Sequence, residues 1–314
     1  MKNKFFIITV DTECDNQWDT NALQETKNAY FIPRFQELCE AFDFYPVYLV
    51  DYVMANNQFL CNYLKQKRDE KKCEIGMHLH AWNTPPFCDL DSKKGFGRPF
   101  LIEYPRDIME SKIKNLKELL HIKFGDSVFS HRAGRWMIDE TYIELLEEFG
   151  ILIDCSITPS INWKSTRGAY RKGQNYSRFK PVPFYPKDSK LLEVPMTIEK
   201  ARVYKNESEK SFLKRIIKQL YFFFFGKKIW VRLSSQTIDE TIKAIRVSEK
   251  RKRQYIEFMI HSSELMPGGS PYYKTEADID NLYIKLNELF SFLRKKNYFG
   301  ITLSDFKKQY DSDR

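Results

Sequence analysis

The chain has 314 residues, 42% hydrophobic and 15% aromatic, enough for a sizeable core and against wholesale disorder. Its 51 lysines and arginines face 42 aspartates and glutamates, a formal charge of +9 that favours anionic partners such as phosphorylated glycans, acidic lipid headgroups or nucleic acid. No run reaches the roughly eighteen apolar residues of a membrane span, the apolar N-terminal run is too short for a secretion signal, and six cysteines without disulfide-type spacing suit free thiols, so a cytoplasmic protein is expected.

In chain order, residues 4–11 form a short apolar, partly β-branched run of the kind found in buried parallel strands. Phe31, Phe35, Leu38 and Phe42 then recur at helical spacing. Strands are expected at 46–50 and 73–80, on either side of an amphipathic stretch at 59–71. A long loop follows, marked by Pro85, Pro86, Gly95 and Gly97 and carrying Lys93, Lys94 and Arg98. Beyond it the pattern predicts a helix after Pro105, a strand at 127–132, a helix over 139–149 capped by Gly150, and a strand at 151–155. Such alternation implies a parallel α/β fold, barrel or open sheet.

The rhythm breaks over about 160–235, read as an insertion of long loops and helix with strand character at 191–198. Within it, 212–229 is basic and aromatic. It is either an interfacial helix giving peripheral membrane association, or a core helix with snorkelling lysines. Helices at 239–250 and 278–295 and strands at 255–261 and 299–303 complete the chain, read as one domain over 1–314.

Reacting groups in such folds collect where strands end. Four of the expected strands end in polar clusters: Asp11-Thr12-Glu13, His78-Leu79-His80, His131-Arg132 and His261. Residues two apart on a strand share a face, so Asp11 and Glu13 converge, as do His78 and His80. Two imidazoles with a carboxylate suit a divalent metal, while a pair of half-buried histidines is the plainer alternative. His131 points away from Arg132 and is read as structural, and His121 as a helix-end residue beside the dipole.

This ordered set resembles the polysaccharide deacetylases with the NodB homology domain, carbohydrate esterase family 4, over residues 4 to about 305. Thr9-Val10-Asp11-Thr12 is similar to the family's T-F-D-D motif, and Glu74-Ile75-Gly76-Met77-His78 to its E-I-G…H stretch. Arg132-Ala133-Gly134, Leu192-Glu193-Val194-Pro195 and Phe258-Met259-Ile260-His261 resemble its later motifs. The nearest type is the WalW-like branch of lipopolysaccharide and surface-glycan biosynthesis. Two positions depart from the pattern. Thr12 replaces the second aspartate, with Glu13 the nearest substitute, and Trp82 occupies the second histidine's place, so that His80 stands in.

The resemblance implies a distorted (β/α) barrel of about seven parallel strands and a metal-dependent sugar N-deacetylase. A divalent metal, zinc first with cobalt or nickel as alternatives, would sit on His78, His80 and Glu13. Asp11 would be general base, held by Arg132, and His261 general acid. Trp82, Trp136 and Tyr273 would stack on sugar rings or pack the rim. The partner would be an N-acetylated glycan or its lipid- or nucleotide-linked precursor, with no nucleic acid, since no recognition module is present. A metal-independent C–N hydrolase of the same fold, or a non-catalytic glycan-binding scaffold, are the alternatives.

Overall fold

A computed structural model describes residues 4–15, 17, 24–88, 99–202, 222, 224, 226–234 and 236–314. Its centre is β1 (Lys4–Thr12), buried from Phe6 onward and paired in parallel on both sides. On one side lies β9 (Tyr255–His261); on the other, β2 (Pro46–Val50) leads to β3 (Glu74–Leu79), β4 (Ser130–Ala133), β5 (Ile153–Asp154) and β6 (Leu192–Glu193). All these pairings are parallel, and the seven strands curl into a half-barrel. The short β10 (Tyr298–Gly300) pairs with the first three residues of β1, next to the start of β2.

Helices α1 (Ile32–Ala41), α2 (Gln58–Asp69), α3 (Arg106–Phe124), α4 (Glu140–Glu148), α5 (Ile238–Lys250) and α6 (Glu276–Lys295) alternate with the strands. Side-chain caps fix several starts: Asn57, Asp139, Thr237 and Thr275 each accept a backbone N–H from the first turn. The outer core is rich in aromatics, with Phe44 meeting Phe6 edge-on at 4.8 Å and Phe290 at 5.2 Å.

Period-two alternation along β1 sends Ile7, Thr9 and Asp11 to the inner face, in that order towards the site. Ile7, Val47, Leu49, Ile153 and Leu192 cluster there with Leu303 and Phe306 of α7 (Leu303–Ser312). Phe306 also packs on Tyr255, the first residue of β9, so this helix lies against the N-terminal ends of the strands. The strand expected at 299–303 is therefore shorter and hands over to a capped helix at Thr302.

The strand expected at 191–198 is two pieces. Residues 192–193 close the edge of the sheet, while β7 (Ile198–Ala201) turns away to pair antiparallel with β8 (Lys227–Trp230). Residues 227–229, read from the sequence as the end of a helix, are thus strand. The rest of 212–229 lies outside the described residues apart from 222, 224 and 226, as do Lys93, Lys94, Arg98, Gly95 and Gly97.

Candidate active site

The ends of β1, β3, β4 and β9 bring Asp11, Glu13, His78, His80, Arg132 and His261 into one buried cluster. Ligand atoms of Glu13, His78 and His80 lie within 4.8 Å of one another. His78 Nε2 is 3.4 Å and His80 Nε2 2.7 Å from Glu13 Oε2. The Arg132 carbonyl lies 2.9 Å from His78 Nδ1, where it accepts the ring N–H and turns Nε2 towards Glu13. The Nδ1 of His80 has no hydrogen-bond partner among the described residues. Gly134 passes against that ring: a Cβ there would stand 2.5 Å from His80 Nδ1 and 2.6 Å from the Leu79 carbonyl. One carboxylate between two imidazoles, one of them oriented by a backbone carbonyl, fits a divalent cation.

Asp11 has a different environment. Its Oδ1 accepts from Arg132 at 2.6 Å, and its Oδ2 lies 4.0 Å from His78 Nε2 and 3.9 Å from His261 Nε2. Arg132 is wholly buried and also donates to Thr9, to Glu257 at 2.7 Å and to the Cys155 carbonyl, so its fork is locked. His261 Nδ1 faces Glu264 at 3.0 Å, and Arg232 holds Glu264 at 2.7 Å.

These neighbours set the charges. Burial alone would raise Asp11, but Arg132, His78 and His261 outweigh it and hold the carboxyl below the usual range. Burial is likewise overcome at Glu13 by the three surrounding imidazoles, which keep it ionised. His78 rises to about 9, because Asp11 and Glu13 overcome the cost of burying its charge. His80 falls to about 4, since burial and the neighbouring His78 charge prevail there.

Above the cluster opens a cavity of about 520 Å³. Trp82, Trp136, Trp163 and Trp230 all line it. Trp136 stacks on Trp163 at 5.4 Å with an interplanar angle of 13°, and Trp230 leans on both. Arg135 and Trp136 hold left-handed backbone, φ 59° and 57°, unusual for large side chains and found where a site constrains the chain. Arg135 in turn lies over the Trp82 ring at 5.6 Å.

Trp82 and Trp136 are therefore at the mouth, as expected. Tyr273 is not: it is buried, and its neighbour Tyr272 lines the cavity instead, because the 266–275 loop turns the opposite side of the chain inward. Trp163, Trp230 and Arg232 were not anticipated, whereas Glu264 stands in the polar run that follows His261 at the strand end. His131 is structural, bonded to Asp154 and to Tyr142, and His121 is an exposed helix-end residue paired with Asp126.

No family model and no curated protein matches the chain. Solved structures do. A Mycobacterium smegmatis protein assigned as a polysaccharide deacetylase aligns at TM-score 0.57 and 14% identity, covering 99% of this chain and 91% of its own. The α-amylase AmyC of Thermotoga maritima aligns at 0.54 and 10% identity, covering 98% and 75%. The 4-α-glucanotransferase of Thermococcus litoralis aligns at 0.54 and 13%, with 98% of this chain spanning 40% of that enzyme. The chain has the NodB-like fold of the polysaccharide deacetylases.

Proposed function

We propose, on this deacetylase-like fold, that the protein hydrolyses the N-acetyl group of an N-acetylated sugar in a surface polysaccharide or its lipid- or nucleotide-linked precursor. The observation that carries this reading is the juxtaposition of Glu13, His78 and His80 with an Arg132-held Asp11 and a Glu264-held His261 beneath an aromatic-lined cavity. Glu13, His78 and His80 would hold a divalent cation, zinc first. Such an ion supplies Lewis acidity, polarising the amide carbonyl and acidifying the attacking water.

The chain's own residues do the rest. Asp11, ionised and fixed through Oδ1, presents Oδ2 to the cavity and takes a proton from water as its oxygen bonds to the carbonyl carbon. His261, oriented through Nδ1 by Glu264, aims Nε2 at the same space and gives a proton to the sugar nitrogen as the C–N bond breaks. Acetate and a free amino sugar result. Trp136, Trp163 and Trp230 offer ring faces for a pyranose, while the buried walls limit water around Asp11.

All six cysteines are free thiols, and no helix among the described residues is long and apolar enough to cross a membrane. Acetate release from N-acetylated oligosaccharides by metal-loaded protein tests the proposed hydrolysis. Release that Asp11→Asn abolishes supports the assignment; equal release by both proteins overturns it.

A further inference from the structure

The strands β7 and β8 pair Lys200 directly with Lys228, and Ile198 with Trp230. Directly opposed residues share a face, so Ile198, Lys200, Lys228 and Trp230 lie on one side of the ribbon. The other side packs inward, with Glu199, Ala201 and Ile229 buried. Trp230 and Lys228 line the candidate active-site cavity. Lys200, one register step out from Trp230's partner, lines two further cavities of about 520 and 610 Å³ that also share Arg251.

The walls of these two cavities are cationic, with Arg178 and Arg253 in one and Arg246 in the other among several lysines and arginines. Among the described residues Glu249 is the only carboxylate on either wall, and Lys4 pairs with it at 2.9 Å. Beneath them the buried Glu199 joins the exposed Arg251 and the largely buried Arg253, fixing both guanidiniums while cancelling one charge. Positive charge therefore continues from the active-site mouth, across Lys228 and Lys200, into these cavities.

Two lysines placed directly opposite each other repel, an arrangement that costs stability in the free protein and that an anion between them would relieve. We propose that the glycan is a polyanion. The N-acetylated sugar lies against Trp230, and phosphate or carboxylate groups of the attached units run along Lys228 and Lys200 towards Arg251. The concave walls, reached from the aromatic cavity through the paired Lys228 and Lys200, favour a chain leaving the site over a flat lipid surface. This inference rests on the deacetylase reading and names its substrate class.

Calorimetric titration of the full-length protein tests it, with polygalacturonate oligomers, neutral chito-oligosaccharides, inorganic pyrophosphate and phosphatidylglycerol vesicles as probes. Lys200→Ala/Lys228→Ala is expected to weaken polygalacturonate binding about tenfold or more and to leave chito-oligosaccharide binding within about twofold. Its thermal midpoint should equal or exceed that of wild type, which separates lost binding from lost folding. Pyrophosphate that displaces polygalacturonate points to a diphosphate-linked carrier; pyrophosphate that does not points to an acidic polysaccharide. Unchanged polygalacturonate affinity in the variant, or lysine-dependent binding to vesicles without glycan binding, overturns the proposal. Failure of acetate release with the anion selectivity intact would instead fault the reaction and spare the binding path.

Discussion

Replacing Arg132 by methionine is expected to be among the most damaging single changes in the molecule. The guanidinium is fully buried and donates to Thr9, Asp11, Glu257 and the Cys155 carbonyl, so its loss strands two buried carboxylates at once. Breaking a buried pair from one side costs about 3–5 kcal/mol, because the remaining charge is left uncompensated. The loss should depend on pH in a definite direction. In the wild type Asp11 is held below its unfolded value near 4, so its stabilising contribution is present above that value and fades as pH falls through the folded one. Without Arg132, the burial that opposes ionisation has lost its principal opponent, and the folded variant retains a proton that the unfolded chain releases. The stability gap between the two proteins should therefore widen as pH rises from about 4 towards 7. Urea unfolding of both at a series of pH values, in chelator, measures the gap. Arg132→Lys should fall between them, since it keeps the charge and loses the fork. A loss below about 1 kcal/mol at pH 7, or a gap that does not change with pH, would refute the reasoning.

Asp11→Asn should lower acetate release by about a hundredfold or more, with stability much less affected than in Arg132→Met, as followed by coupled acetate assay and thermal unfolding. His78→Ala/His80→Ala should abolish stoichiometric metal in the purified protein by elemental analysis; full occupancy in the double variant would rule out the assigned ligands. Loading metal into the empty protein at pH 7 should release about one proton per ion. His78, near 9, must shed one, whereas His80, near 4, and the ionised Glu13 need not. Titrations in buffers of different ionisation enthalpy count it, and zero or two protons would contradict this charge assignment. Lys112→Met should lower stability by about 1–3 kcal/mol in denaturant titration, because the buried Nζ donates to the carbonyls of Ala81, Thr84 and Pro86 in the loop that carries Trp82.

Much of the centre was readable along the chain because it obeys local periodicity. Asp11 with Glu13, and His78 with His80, share faces through the two-residue repeat of a strand. The alternation of apolar runs with helical stripes pointed to a parallel α/β fold, barrel or open sheet, and the family resemblance, not the periodicity, implied the barrel. What the linear order could not contain were the partnerships between remote segments. The clamp of Arg132 on Glu257, the Arg232–Glu264–His261 chain and the stacking of Trp136, Trp163 and Trp230 join residues scattered over much of the chain. None of these leaves a periodic trace. The β7–β8 ribbon was hidden for the same reason: four residues a side, polar and apolar mixed, carry no strand repeat of their own, and 227–229 read as the end of a helix. Tyr272 rather than Tyr273 reaches the cavity because an irregular loop has no repeat from which to read a direction. Local chemistry thus determined which groups could react, and tertiary packing decided which of them are held, charged and exposed to a substrate.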